Sequence, residues 1–188
     1  MSVPVPPSPS DSVVLLCVDL QPAFLKVIPG ADGLLRRCAF AIEAAEGLGI
    51  RTVFSEQVPE KLGGTAPELI ERALNAPVFA KTTFSAWAHD PLRAALSSPP
   101  TEHLLLCGIE TSVCVYQTAL DALAAGLSLT VLSDGVGARR PDDARVCLDA
   151  LARAGAHVLP AETVFYAMLQ DVTHPFFKRY TQLVKTYG

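Results

Sequence analysis

With 188 residues the chain is long enough for one well-buried core and short for two, and its balance of 50% hydrophobic and 18% charged residues excludes a disordered tail. A net charge of −4 and the lack of any Lys or Arg run leave it without the footprint of a nucleic-acid binder. Its longest apolar runs are strand-sized, below the roughly 18 residues that a membrane span requires.

Residues 1–11 are rich in Pro and Ser and read as a loose arm; residues 12–188 read as a single domain. The run VVLLCV at 13–18 is continuous and β-branched, the pattern of a strand buried on both faces, and it stops at Asp19. A helix is predicted over 32–48 with Gly49 as its stop, then a strand over 51–56. The segment VPEKLGGTAPEL reads as a loop leading into a short helix that ends near Asn75. Strands follow over 77–82, 103–108, 127–134 and 156–160. Helices are predicted over 91–96, 112–125, 142–154, 161–169 and 175–185. Strands alternating with helices of this length predict right-handed crossovers and a parallel sheet covered on both faces, a three-layer α/β/α sandwich.

Five cysteines, Cys17, Cys38, Cys107, Cys114 and Cys147, show no metal-binding or redox spacing, are odd in number and follow no signal peptide. A reducing, cytoplasmic setting is expected. In a parallel sheet the ligand crevice lies outside the carboxyl ends of the strands. Strand one runs into Asp19, strand three into Lys81, and strand four into the loop that delivers Cys114. Each has a structural alternative: a turn residue, a surface charge and a small buried side chain, respectively. Their coincidence at one edge favours chemistry. Thr111 or Ser112 can cap the helix that follows and so set Cys114 in its first turn, where free N–H groups and the dipole favour a thiolate. Lys81 lowers the thiol further, and Asp19 accepts the proton as general base.

At these residues the sequence resembles the isochorismatase-like, or cysteine hydrolase, family. The matching pieces are VDLQPAF with Asp19 and Gln21, FAKTTFSAW with Lys81, and CGIETSVCVYQTALDALAAG with Cys114, in order and spanning most of the domain. The resemblance implies an Asp19–Lys81–Cys114 triad and a six-stranded parallel sheet of order 3-2-1-4-5-6, a Rossmann-like arrangement. It also implies a cis peptide at Ile109–Glu110, an oxyanion hole from the backbone N–H groups of Glu110 and Cys114, and self-association into a homo-oligomer.

Departures from the family's subgroups narrow the reading. Relatives that hydrolyse nicotinamide carry an Asp-x-His and a further His after strand two for a metal; this chain has SEQVPEKLGG there and no His before position 89. No metal and no other cofactor is therefore expected. Isochorismate hydrolases need no thiol, so Cys114 points to acyl transfer. The SEQVPEKLG stretch looks most like that of the isochorismatase-domain-containing hydrolases. Phe24, Phe84 and Trp87 are candidates to wall a small acyl group, with Gln21, Glu56 and Gln57 as candidate hydrogen-bonding groups. Cys17, Cys38, Cys107 and Cys147 read as core.

The expected function is metal-independent hydrolysis of a C–N bond in a small amide or carbamoyl compound through a thioester on Cys114, with neither nucleic acid nor membrane as partner. The alternatives are an inert binding or scaffold protein on the same fold, and an isochorismate-type ether hydrolase. A dinucleotide-dependent oxidoreductase is disfavoured, because VDLQPAF lacks the Gly-rich turn that cradles a pyrophosphate.

Overall fold

A computed structural model describes residues 12–188. The arm predicted over residues 1–11 lies outside the described residues. The chain runs β1 (Val13–Val18), α1 (Pro22–Leu25), α2 (Ala31–Gly47), β2 (Arg51–Gln57), α3 (Pro59–Leu62), α4 (Pro67–Ile70) and β3 (Val78–Lys81). It continues through α5 (Asp90–Ser97), β4 (His103–Ile109), a π-helical turn (Thr111–Val115), α6 (Tyr116–Ala124) and β5 (Ser128–Gly137). The last elements are α7 (Pro141–Arg153), β6 (His157–Leu159), α8 (Ala161–Leu169) and α9 (Phe177–Tyr187).

The six strands form one sheet in the order β3-β2-β1-β4-β5-β6, every pair parallel. Alternation along the strands divides the core in two. Leu15, Cys17, Phe54, Leu105 and Cys107 face one apolar cluster, which takes in α2, α8 and α9. Val14, Leu16, Val53, Leu104 and Leu106 face the other, with α5, α6 and α7. Both faces of the central strands are thus buried, which is why β1 and β4 read as unbroken apolar runs.

Helix starts follow a local rule. α1, α3, α4, α5 and α7 each carry Pro at the first or second position, where the ring's fixed φ suits the helix and its missing N–H is not needed. The same prolines make 22–25 and 59–62 look like loop in sequence, yet both segments form single helical turns. β5 runs three residues beyond the expected end at Asp134, to Gly137. A register shift between Leu106 and Gly108 lets β5 follow β4 to its carboxyl end, despite the polar Ser133–Asp134 and the glycines that follow. Among the described residues no helix is long and apolar enough to cross a membrane.

Gly108 brings the carboxyl ends of β4 and β1 together. It has φ +124°, and a Cβ there would lie 2.1 Å from the Val18 carbonyl oxygen. Only glycine permits this approach of β4 to β1.

Candidate active site

Three neighbouring strands deliver one electrostatic unit. Gln57 at the end of β2 pairs in register with Lys81 at the end of β3, and Val18 of β1 with Ser55 of β2. Asp19 follows at once in a left-handed conformation, φ 53°, which Asp tolerates better than most residues. The turn aims its carboxylate along the edge. There Oδ1 accepts a hydrogen bond from Ser55 Oγ at 2.8 Å, and Oδ2 accepts one from Lys81 Nζ at 2.7 Å. Two strand spacings, roughly 10 Å, separate β3 from β1, and Lys81 crosses that gap with its side chain fully buried.

The Lys81 ammonium has further acceptors: Gln57 Oε1 at 2.6 Å and the carbonyls of Thr83 at 3.0 Å and Phe84 at 3.2 Å. An ammonium donates three protons and accepts none, and all four neighbours are acceptors. The surroundings therefore answer every proton that the ammonium donates. The 82–86 loop that supplies the carbonyls is tied to α6 and, through it, to Cys114. The Ala86 N–H donates to Thr118 Oγ1 at 2.8 Å, and that hydroxyl donates to the Cys114 carbonyl at 2.6 Å.

Cys114 itself does not sit in the first turn of an α-helix. It lies in the π-helical turn ahead of α6, in which Val113 and Val115 both donate to the Glu110 carbonyl. Neither expected cap forms: no side chain caps this turn, and the Thr111 hydroxyl is buried without a hydrogen-bond partner. The Ile109–Glu110 peptide is cis, as is Ser98–Pro99.

The expected thiolate is likewise corrected. The Cys114 thiol is pushed up to about 12, first by burial and then by the Asp19 charge, with smaller upward contributions from a hydrogen bond to Asp19 and from Glu110; Lys81 pulls the other way. Burial and the nearby carboxylates outweigh the single cation. The resting state is a neutral thiol beside a carboxylate that is itself paired.

A cavity of about 190 Å³ opens beside this group, lined by Asp19, Phe24, Gln57, Phe84, Ile109, Glu110, Val113, Cys114 and Arg139. Of the residues expected to line it, Phe24, Gln57 and Phe84 do so. Gln21, Glu56 and Trp87 do not, each for a different reason. The Gln21 amide is fully engaged with backbone: Nε2 donates to the Gln57 and Gly63 carbonyls, and Oε1 accepts from the Gln57 N–H. Glu56 Oε1 accepts from the N–H and hydroxyl of Thr65, pinning the loop after β2. Trp87 packs into the apolar cluster beneath α5 and α6.

Sequence reasoning missed Arg139. It reaches the cavity because β5 is longer than its apolar run, and its Nε donates to Glu110 Oε1 at 2.8 Å. Cys17, Cys38 and Cys107 are core, but Cys147 is only half-buried on α7.

The residues at the carboxyl end of β2 do not suit a metal. Glu56 is committed to Thr65, and Gln57 to Lys81 and to the Thr82 carbonyl. Among the described residues no group of three or more His, Cys, Asp or Glu side chains is placed to hold an ion.

Residues 13–163 match the family model of the isochorismatase domain. Isochorismatase domain-containing protein 2 of Bos taurus is 35% identical over 178 residues, covering 94% of this chain and 84% of that protein. A solved structure described as the MAR1 ribonuclease of Caenorhabditis elegans is 33% identical with a TM-score of 0.88, covering 93% of this chain and 90% of that one. The YcaC gene product of Escherichia coli, described as an octameric hydrolase of unknown specificity, shares the fold at a TM-score of 0.83 and 21% identity, covering 99% of this chain and 98% of that one.

Proposed function

The chain belongs to the isochorismatase family, and from that premise we propose that it is a metal-independent cysteine hydrolase cleaving a C–N bond of a small amide or carbamoyl compound. One observation carries the reading: Asp19, hydrogen-bonded to the buried Lys81 ammonium, lines the same small cavity as the Cys114 thiol. A thiol raised by its surroundings needs a base at the moment of attack rather than a stored negative charge, and Asp19 is the carboxylate that acts on it most strongly.

In the proposed reaction Asp19 takes the thiol proton as the sulfur attacks the carbonyl carbon. The C–S bond forms while the carbonyl π pair moves to oxygen, where the N–H groups of Glu110 and Cys114 hold it. The tetrahedral intermediate collapses, the C–N bond breaks, and the proton on Asp19 passes to the departing nitrogen. Water then adds to the thioester with Asp19 again as base, and the proton returns to sulfur as the acid leaves. Lys81 stays an ammonium throughout, holding Asp19 in its ionised form between proton transfers.

Phe24, Phe84, Ile109 and Val113 favour an apolar acyl part, and about 190 Å³ restricts it to a small one. The test is a panel of small amides and ureas, followed by ammonia or amine release. Turnover by the wild type that disappears in Cys114→Ala supports the reading; unchanged turnover in that variant overturns it. In keeping with the family resemblance, the protein is also proposed to self-associate, read by light scattering on the purified chain.

The relative described as a ribonuclease raises a second reading for this chain. RNA binding draws on cations that face phosphates. Here the net charge is −4, and the Arg139 guanidinium at the cavity already pairs with Glu110. Cleavage of a labelled RNA that requires both Asp19 and Cys114 would favour the ribonuclease over the amidase.

A further inference from the structure

We propose that Gln57 is a positioning residue of the reaction, holding the Lys81 ammonium against Asp19 so that Asp19 remains an available base. The inference rests on the Asp19–Lys81–Cys114 reading and adds to it a residue that touches none of the reacting atoms directly.

The geometry is specific. Gln57 is 8% exposed, and its side-chain amide has a fixed orientation: Nε2 donates to the Thr82 carbonyl at 3.0 Å, which turns Oε1 toward Lys81 Nζ at 2.6 Å. A flipped amide would set its NH2 against the ammonium and its oxygen against a carbonyl, so one orientation satisfies every partner. The backbone of Gln57 is held equally firmly, its N–H and C=O both bound to the Gln21 amide. Val58, the next residue, is β-branched and yet left-handed at φ 43°, and its N–H donates to the Lys81 carbonyl at 3.0 Å. A Val in that region carries backbone strain and persists only where its surroundings dictate it. Gln21, Gln57 and Val58 thus form a splint between β1, β2 and β3, and the splint ends on the ammonium.

The splint bears directly on proton transfer. Thr83 and Phe84 offer carbonyls to Lys81 from a loop, whereas Gln57 offers its oxygen from the end of a strand. Without that oxygen the ammonium is left to the loop and drifts from Asp19. The carboxylate then loses the cation that favours its ionised form, and it protonates at a higher pH. An added negative charge at the same position competes with Asp19 for the one ammonium and moves it in the same direction.

The experiment uses p-nitrophenyl acetate as an acylating probe and follows the burst of p-nitrophenol against pH, with the acetylated peptide identified by mass spectrometry. It compares the wild type with Cys114→Ala, Gln57→Leu and the near-isosteric Gln57→Glu, which preserves packing should Gln57→Leu fold poorly. For Gln57→Glu the acid limb of the acylation rate is expected to move up by about one pH unit, as a like charge beside a carboxylate requires. For Gln57→Leu the same limb moves up and the plateau rate falls about 10- to 100-fold, the scale of one lost hydrogen bond to a charge. A residue that only walls the cavity would change the plateau and leave the limb in place. Acid limbs that coincide with the wild type in both variants overturn the role of Gln57 while the triad stands. A wild type with no burst, or a burst that survives in Cys114→Ala, overturns the triad itself.

Discussion

Two thiols stand seven positions apart on either side of the β4 carboxyl end, and their surroundings differ in kind. Cys107 lies inside β4, fully buried, with its Sγ 3.4 Å from Cys17 Sγ in the adjacent strand and apolar side chains around it. Cys114 is nearly as buried, but it borders a cavity and lies within the electrostatic reach of Asp19, Lys81 and Glu110. Burial alone therefore does not separate a core thiol from a candidate nucleophile. What separates them is an open volume for a carbonyl carbon, lined by the thiol and by a carboxylate together.

The sharpest way to break this comparison is to remove each sulfur in turn. Cys114→Ala is expected to abolish turnover and leave the melting temperature within a few degrees of the wild type. Cys107→Ala should keep turnover and cost about 1 kcal/mol of stability for the small void it leaves, read by denaturant unfolding.

Next in size is Asp19→Asn, expected to lower hydrolysis by about 100- to 10,000-fold, the usual range for losing a general base. The same variant should make the thiol more acidic, because it removes the Asp19 charge that raises the Cys114 pKa and keeps Lys81, which lowers it. Alkylation of Cys114 by iodoacetamide should then begin at lower pH than in the wild type, whose thiol is pushed up by burial and the Asp19 charge. A stored-thiolate mechanism makes the opposite prediction: alkylation of the wild type at neutral pH that weakens in Asp19→Asn.

Lys81→Met leaves a buried carboxylate without its partner. The expected cost is about 3–5 kcal/mol in unfolding free energy, or else protonation of Asp19 and loss of activity near neutral pH. Phe84→Ala gives the smallest change. The residue is 57% exposed, so a rise in KM of about tenfold at most is expected, with kcat nearly unchanged.

The sequence makes the active edge legible because strands buried on both faces announce themselves as apolar runs, and each such run ends where a polar side chain must meet solvent or a ligand. Asp19 stands out for that reason, whereas Lys81 ends the mostly exposed edge strand β3 and is marked instead by the FAKTTFSAW motif; the family model and the sheet order agree with the architecture read there. Arg139 stayed hidden because the last part of β5 is held by pairing with β4 rather than by hydrophobicity, so its sequence reads as loop. The π-helical turn at Cys114 was unreadable for a related reason: periodicity cannot distinguish one widened turn from the start of α6. Gln21 and Glu56 lie at the expected edge but hold backbone and Thr65 instead of lining the cavity, since whether a buried amide or carboxylate faces a cavity or a backbone depends on loop contacts that no local pattern records.

The enclosure of Lys81 also governs how the protein responds to lysine-directed reagents. An amine must shed its proton and meet its electrophile before it can be acylated or form an imine, and here the nitrogen has four oxygen neighbours and a side chain out of solvent's reach. In the folded protein, exhaustive treatment with an N-hydroxysuccinimide ester should mark the surface lysines and pass over this one. The residue on which the charge balance of the site depends is thus the lysine that covalent labelling leaves blank, and its labelling on partial unfolding reports when the active edge comes apart.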